Sequence, residues 1–222
     1  MRSAILVFGF VLVFAASLLP AQDTPVKIDN EQVRVLFATS VPHVKGKMHE
    51  HHDNRVMIYL DAGSQALTDP AGKVTASHWK AGEVLWSPGG GMHTSENTSD
   101  KAYRIVEIEL KKPAGGESAP AVALDPVKLD PKHYHVEFEN AQVRVVRARY
   151  GPHEKGPMHE HGANRVVVFL TDQNVHATLP DGKTQEVRGT AGEVRWAGAA
   201  QHQEVNLSDQ AFEVISVELK AR

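Results

Sequence analysis

Apolar and polar residues alternate over short runs along this chain. Val33, Val35 and Phe37 alternate with Gln32, Arg34 and Leu36, a two-residue period with one imperfect polar slot. Residues 103–110 and 212–219 alternate again, and residues 55–60 and 165–170 are rich in β-branched and apolar side chains. Period two sends neighbouring side chains to opposite faces, so these runs predict strands. Asp69-Pro70-Ala71-Gly72 and Leu179-Pro180-Asp181-Gly182 are turn signals between strands. No stretch carries a helical stripe beyond one or two turns. Short strands punctuated by turns predict an all-β fold of sandwich or barrel type.

This texture occurs twice. Residues 30–61 align without a gap with residues 140–171 at an offset of 110, and 18 of the 32 pairs are identical, which marks a duplicated unit. Met48-His49-Glu50-His51 recurs as Met158-His159-Glu160-His161, and Ala81-Gly82-Glu83-Val84 as Ala191-Gly192-Glu193-Val194. One residue is then dropped, which pairs His93 with His202 and Asn97 with Asn206. Each copy ends in Glu-Leu-Lys, at 109–111 and 218–220. The expected organisation is a first domain at 26–111, a linker at 112–132 rich in Pro, Ala and Gly, and a second domain at 133–222.

Residues 1–21 stand apart. Arg2 precedes an apolar stretch from Ala4 to about Ala16, followed by Ser17-Leu18-Leu19-Pro20-Ala21. A basic tip, an apolar middle and a small residue at the end are the layout of a secretory signal peptide, with cleavage expected after Ala21. The stretch is shorter than the ~20 residues that span a bilayer, so no stable membrane span is expected after processing. A periplasmic or secreted location follows as an expectation. The chain has no cysteine, so an exported form would have neither disulfides nor thiolates. Formal net charge is −3, and loss of Arg2 with the signal peptide takes it to −4. That balance, without a basic run, argues against a nucleic-acid partner.

Histidine supplies the candidate chemistry. His49 and His51 are two apart in an expected strand and share a face, while Glu50 points away. His93 follows far along the chain, after Gly89-Gly90-Gly91. His159, His161 and His202 repeat the set. Imidazole binds Fe, Mn, Zn, Ni or Cu, and three protein ligands with an open position suit a catalytic metal. Exposed or hydrogen-bonded core histidines would give the same spacing, and both sets descend from one duplication and count once. Met48 and Met158 are expected to pack, and Trp86 and Trp196 to anchor a core or an interface. Asn97 and Asn206 are expected to hold turns, and His52, His78 and His176 to be exposed.

On these residues the chain resembles the cupins, small β-barrels of jelly-roll type, and as a whole it looks like a two-domain member. The first copy matches the family's second motif at every fixed position with Gly82, Pro88, Gly90, His93 and Asn97. The second copy keeps Gly192, His202 and Asn206, has Gly198 and Ala200 at the proline and second glycine, and is one residue shorter there. Both copies depart from the first motif in the same two places. Its opening glycine is His43 and His153, and its glutamate, often a fourth metal ligand, is Arg55 and Arg165. The resemblance implies two tandem jelly-roll barrels, each holding one divalent transition metal (Fe, Mn, Zn, Ni or Cu) on its three histidines.

A guanidinium has no lone pair to give a metal. Arg55 and Arg165, if inside, need either a carboxylate partner or an anionic ligand for their planar fork, and Glu83 or Glu107 is in reach of Arg55 by position. His43 and His153 would serve as a further ligand or a proton carrier only if a bend near Lys45-Gly46 brought His43, and its counterpart, back to the site. The leading expectation is a dioxygenase-type oxidoreductase acting on a small polar or anionic organic molecule. The alternatives are a cupin isomerase or lyase acting on a sugar or keto acid, and a non-catalytic exported binding protein. The fold does not choose among them. Association into a homo-oligomer is left open.

Overall fold

The computed structural model describes residues 24–113 and 121–220, so the expected signal peptide and the middle of the expected linker lie outside it. The first copy runs β1 (Val26–Asp29), β2 (Val33–Ser40), β3 (His49–Glu50), β4 (Arg55–Tyr59), β5 (Gly63–Thr68), β6 (Val74–Trp79), β7 (Val84–Ser87), β8 (Met92–Asn97) and β9 (Tyr103–Leu110). One helical turn follows, α1 (Pro126–Leu129). The second copy repeats the series as β10 (Tyr134–Glu139), β11 (Val143–Tyr150), β12 (His159–His161), β13 (Arg165–Phe169), β14 (Gln173–Thr178), β15 (Thr184–Gly189), β16 (Val194–Ala197), β17 (Ala200–Asn206) and β18 (Phe212–Leu219).

Each copy builds two antiparallel sheets in a jelly-roll-like order. The first copy has β1-β2-β9-β4-β7 and β3-β8-β5-β6, and the second has β10-β11-β18-β13-β16 and β12-β17-β14-β15. The chain passes back and forth between the two sheets of a copy, and no sheet closes on itself among the described residues. The predicted turns form as their chemistry requires. Asp69 Oδ1 accepts from the Ala71 and Lys73 amides, and Gly72 takes a left-handed φ of 83°. Among the described residues no helix is long and apolar enough to cross a membrane.

The central strands of the five-stranded sheets are buried on both faces, and this explains why β4 and β13 read as apolar runs. Every residue of β4 is buried. Val56 and Ile58 join the largest hydrophobic cluster, which takes eight buried residues from the first copy and seven from the second. Met57 and Tyr59 face the other way, into the first copy, where they pack with Ala38, Trp79, Tyr103 and Ile105. The principal core of the molecule is therefore the seam between the two copies. At roughly 1.5–3 kcal/mol for each fully buried aliphatic side chain, the seam gains tens of kcal/mol before entropy is counted.

Polar contacts at the seam set its symmetry. Asn54 Nδ2 donates to Gln142 Oε1 at 2.6 Å, and Asn164 Nδ2 donates to Gln32 Oε1 at 2.7 Å. These are equivalent positions exchanged between copies, as a two-fold relation demands. Each bond contributes only about 1 kcal/mol, so packing holds the seam and the amides fix its register. Truncating Ile58 to alanine leaves a cavity at the seam and should lower the unfolding free energy by about 2–5 kcal/mol. Urea denaturation checks this, and a loss below about 0.5 kcal/mol would place the principal core elsewhere.

Candidate metal centres

The first cluster is assembled by a short ladder and a glycine turn. β3 pairs with β8 so that His49 lies opposite His93. The turn before β8 folds tightly over the chain after His51. A Cβ on Gly89 would stand 2.4 Å from the His52 carbonyl oxygen, so only glycine fits there. The Gly90 amide donates to the His51 carbonyl at 2.6 Å. The ligand-type atoms of His49, His51 and His93 all fall within 4.8 Å of one another. His159, His161 and His202 form the equivalent cluster within the same limit, and β12 pairs with β17 to set His159 opposite His202.

Hydrogen bonds choose the nitrogen that faces inward. His49 Nδ1 lies 2.9 Å from the Lys47 carbonyl, and His159 Nδ1 lies 3.2 Å from the Pro157 carbonyl. A carbonyl only accepts, so Nδ1 carries the proton and Nε2 keeps the lone pair. His51 Nδ1 faces Glu109 at 3.5 Å, and His161 Nδ1 faces Glu218 at 3.0 Å, with the same consequence. Burial pushes the His93, His159 and His161 imidazolium forms down, and the neighbouring positive groups add to the effect. Three imidazoles brought together, with a carboxylate behind the second of each set, form a donor set suited to a divalent ion.

The two centres differ in what surrounds them. In the second, Glu204 lies two residues beyond His202 on β17 and approaches His202 Nε2 at 3.4 Å. Burial would raise its carboxyl, but the hydrogen bond with His202 and the charges of the nearby histidines outweigh that and hold it down. Tyr134, Tyr150, Val175 and Phe212 fill the interior beside it. In the first, Ser95 stands where the register places Glu204. Ser40, Gln65 and Tyr103 stand where the second copy has Tyr150, Val175 and Phe212. A cavity of about 380 Å³ opens there, lined by those residues with His49, His51 and His93.

Arg55 and Arg165 are both buried. Arg55 Nη1 donates to Glu107 Oε2 at 2.8 Å and Nη2 to Ser87 Oγ at 3.0 Å, so its carboxylate partner is Glu107. Glu83 instead accepts from the Lys80 amide in a turn. Ser216 replaces Glu107 in the second copy, and Arg165 donates to the Gly198 carbonyl. His43 and His153 are not brought to the clusters. They hold left-handed turn positions at φ 56° and 58°, which suit the motif's glycine, and they pair at the surface with Asp100 at 3.2 Å and Asp209 at 2.8 Å.

Asn97 and Asn206 are fully buried and hold turns, with Nδ2 donating to Ser40 and Lys101 carbonyls and to Gly151 and Gln210 carbonyls. Trp86 packs at the seam against Phe138, but Trp196 is more than a third exposed. Met48 is exposed rather than packed, because β3 is an edge strand without a described neighbour on its outer side. Sequence reasoning missed Glu109, Glu218, Glu204 and Tyr134. The repeated Glu-Leu-Lys endings carried a signal for the first two, and period two from His202 carried one for Glu204.

Known structures share this fold. AerE from Microcystis aeruginosa matches at 13% identity with a TM-score of 0.66, over 91% of this chain and 94% of that one. A cupin 2 conserved barrel domain protein from Leptotrichia buccalis matches at 12% identity and TM-score 0.53, over 90% and 89%. Oxalate decarboxylase of Bacillus subtilis, a protein with Mn(II) centres, matches at 10% identity and TM-score 0.57, over 86% and 70%. No protein-family model matches the sequence, and no curated protein matches it. The chain shares the two-domain fold of these proteins and carries two histidine clusters, each suited to one divalent metal ion.

Carboxylates behind ligand imidazoles raise metal affinity. Glu218→Gln should weaken zinc binding in the second half by about 10- to 100-fold, and Glu109→Gln should do so in the first. Competition with a chelating dye reads both, and unchanged affinity in either variant would deny that carboxylate its role.

Proposed function

We propose that the chain is a metal-dependent oxidoreductase of dioxygenase type, acting on a small polar or anionic organic molecule held in its first half. The observation that carries this reading is the cavity of about 380 Å³ beside His49, His51 and His93, where the second half packs Tyr150, Val175 and Phe212 at the positions of Ser40, Gln65 and Tyr103. Each pair of sheets is taken as a jelly-roll barrel with its triad inside. A divalent ion held by His49, His51 and His93 would supply Lewis acidity and, if redox-active, one-electron exchange with O2.

The remaining work falls to side chains of the cavity wall. Ser40, Gln65, Ser77 and Ser95 offer uncharged donors and acceptors, as do the hydroxyls of Tyr59 and Tyr103. Arg55 is fixed by Glu107 and Ser87, and its Nε is buried without a partner. It serves as a positioned positive group for an anionic substrate end. Glu107 is the carboxylate of the wall and can accept a substrate proton. The N-terminal layout of residues 1–21 supports delivery to the periplasm or the exterior.

Nitric oxide is a probe for an open coordination position. Protein loaded with Fe(II) without oxygen and exposed to nitric oxide should give an iron-nitrosyl EPR signal. His93→Ala should remove it, and His202→Ala should leave it. Iron bound in the first half with no nitrosyl signal would contradict the reading. Turnover of a polar acid without O2 uptake would replace oxygenase by lyase or isomerase chemistry.

A further inference from the structure

We infer that Tyr134 is a ligand of the second metal centre through its phenol oxygen, beside His159, His161 and His202. The inference rests on the metal reading of that cluster. Tyr134 begins β10, and its side chain is buried against the histidines. Its hydroxyl lies 3.2 Å from His159 Nε2 and 3.3 Å from Glu204 Oε2. The other Glu204 oxygen lies 3.4 Å from His202 Nε2. Donors held about 2.0–2.2 Å from one ion sit about 3.0–3.5 Å from their neighbours in the shell. The phenol oxygen therefore stands at the edge length of a shared coordination shell.

The surroundings hold that oxygen in place. The Tyr150 hydroxyl donates to it at 3.1 Å. Tyr150 is fixed by ring stacking on His133 at 4.1 Å and on Phe212 at 5.1 Å. His133 is held in turn by Asp130 at 2.6 Å and Glu154 at 3.0 Å. Gly156 leaves the room Tyr150 needs, since a Cβ there would stand 2.2 Å from the hydroxyl. Coordination forms one oxygen–metal bond and releases the phenol proton to solvent, with no change of oxidation state.

The first centre has none of this equipment. By the alignment Thr24 takes the position of Tyr134, Ser40 that of Tyr150 and Ser95 that of Glu204. The ligand is thus specific to the second centre.

The full chain is loaded with Fe(III) from its nitrilotriacetate complex, in a His93→Ala background so that iron counts the second half. A phenolate-to-iron charge-transfer band in the visible, with tyrosine ring modes in resonance Raman, is the expected result. Tyr134→Phe should lose the band and keep the iron. Tyr150→Phe leaves the phenol in place but removes its donor and should shift the band, so the assignment does not hang on one variant folding. Iron bound without the band, or a band that survives Tyr134→Phe, overturns the assignment. Absence of iron from the second half would overturn the metal reading there, and this inference with it.

Discussion

Burial of the central strands of the five-stranded sheets on both faces is the constraint from which the rest of the molecule follows. One face of each sheet is sealed against the other copy by valine, isoleucine and leucine. The opposite face is then free of the duty of supplying the main core, and it can carry Arg55, Glu107 and Glu109, while the histidines lie at the four-stranded sheet. A single copy would have to choose between an apolar interior for stability and a polar one for chemistry. Two copies joined back to back separate those demands.

The same arrangement allows the halves to diverge. Both keep the three histidines and the carboxylate behind the second, because those groups fix which imidazole nitrogen faces inward. They differ where the demand is local. Exchanging Ser40, Gln65 and Ser95 for Tyr150, Val175 and Glu204 sets packed side chains where the first half has its cavity, with an additional acid beside the imidazoles. Few positions are needed, since the two copies keep equivalent strand registers at these residues.

Much of this was legible in the sequence. Period-two alternation and the turn signals gave the strands, and the repeat gave both copies and both triads. Gly82, Pro88, Gly90, His93 and Asn97 pointed to the fold. What was not legible depended on distance in space. Arg55 selects Glu107 over Glu83 because β4 and β9 are neighbours, and no spacing rule says so. His43 looked like a proton carrier because its backbone angle cannot be read from the chain. Tyr134 was hidden because its counterpart is Thr24, so the repeat that exposed the histidines offered no echo of it.

The central claim is that Nδ1 hydrogen bonds on two histidines of each half turn their Nε2 atoms inward, so that with the third histidine they hold one ion. Anomalous diffraction from crystals grown with Mn(II) or Zn(II) tests it most directly. The account predicts one peak in each half, about 2.0–2.3 Å from both of those Nε2 atoms and from a ring nitrogen of the third histidine. Peaks bound through Nδ1 of those two histidines, or triads left empty while metal collects elsewhere on the surface, would contradict it.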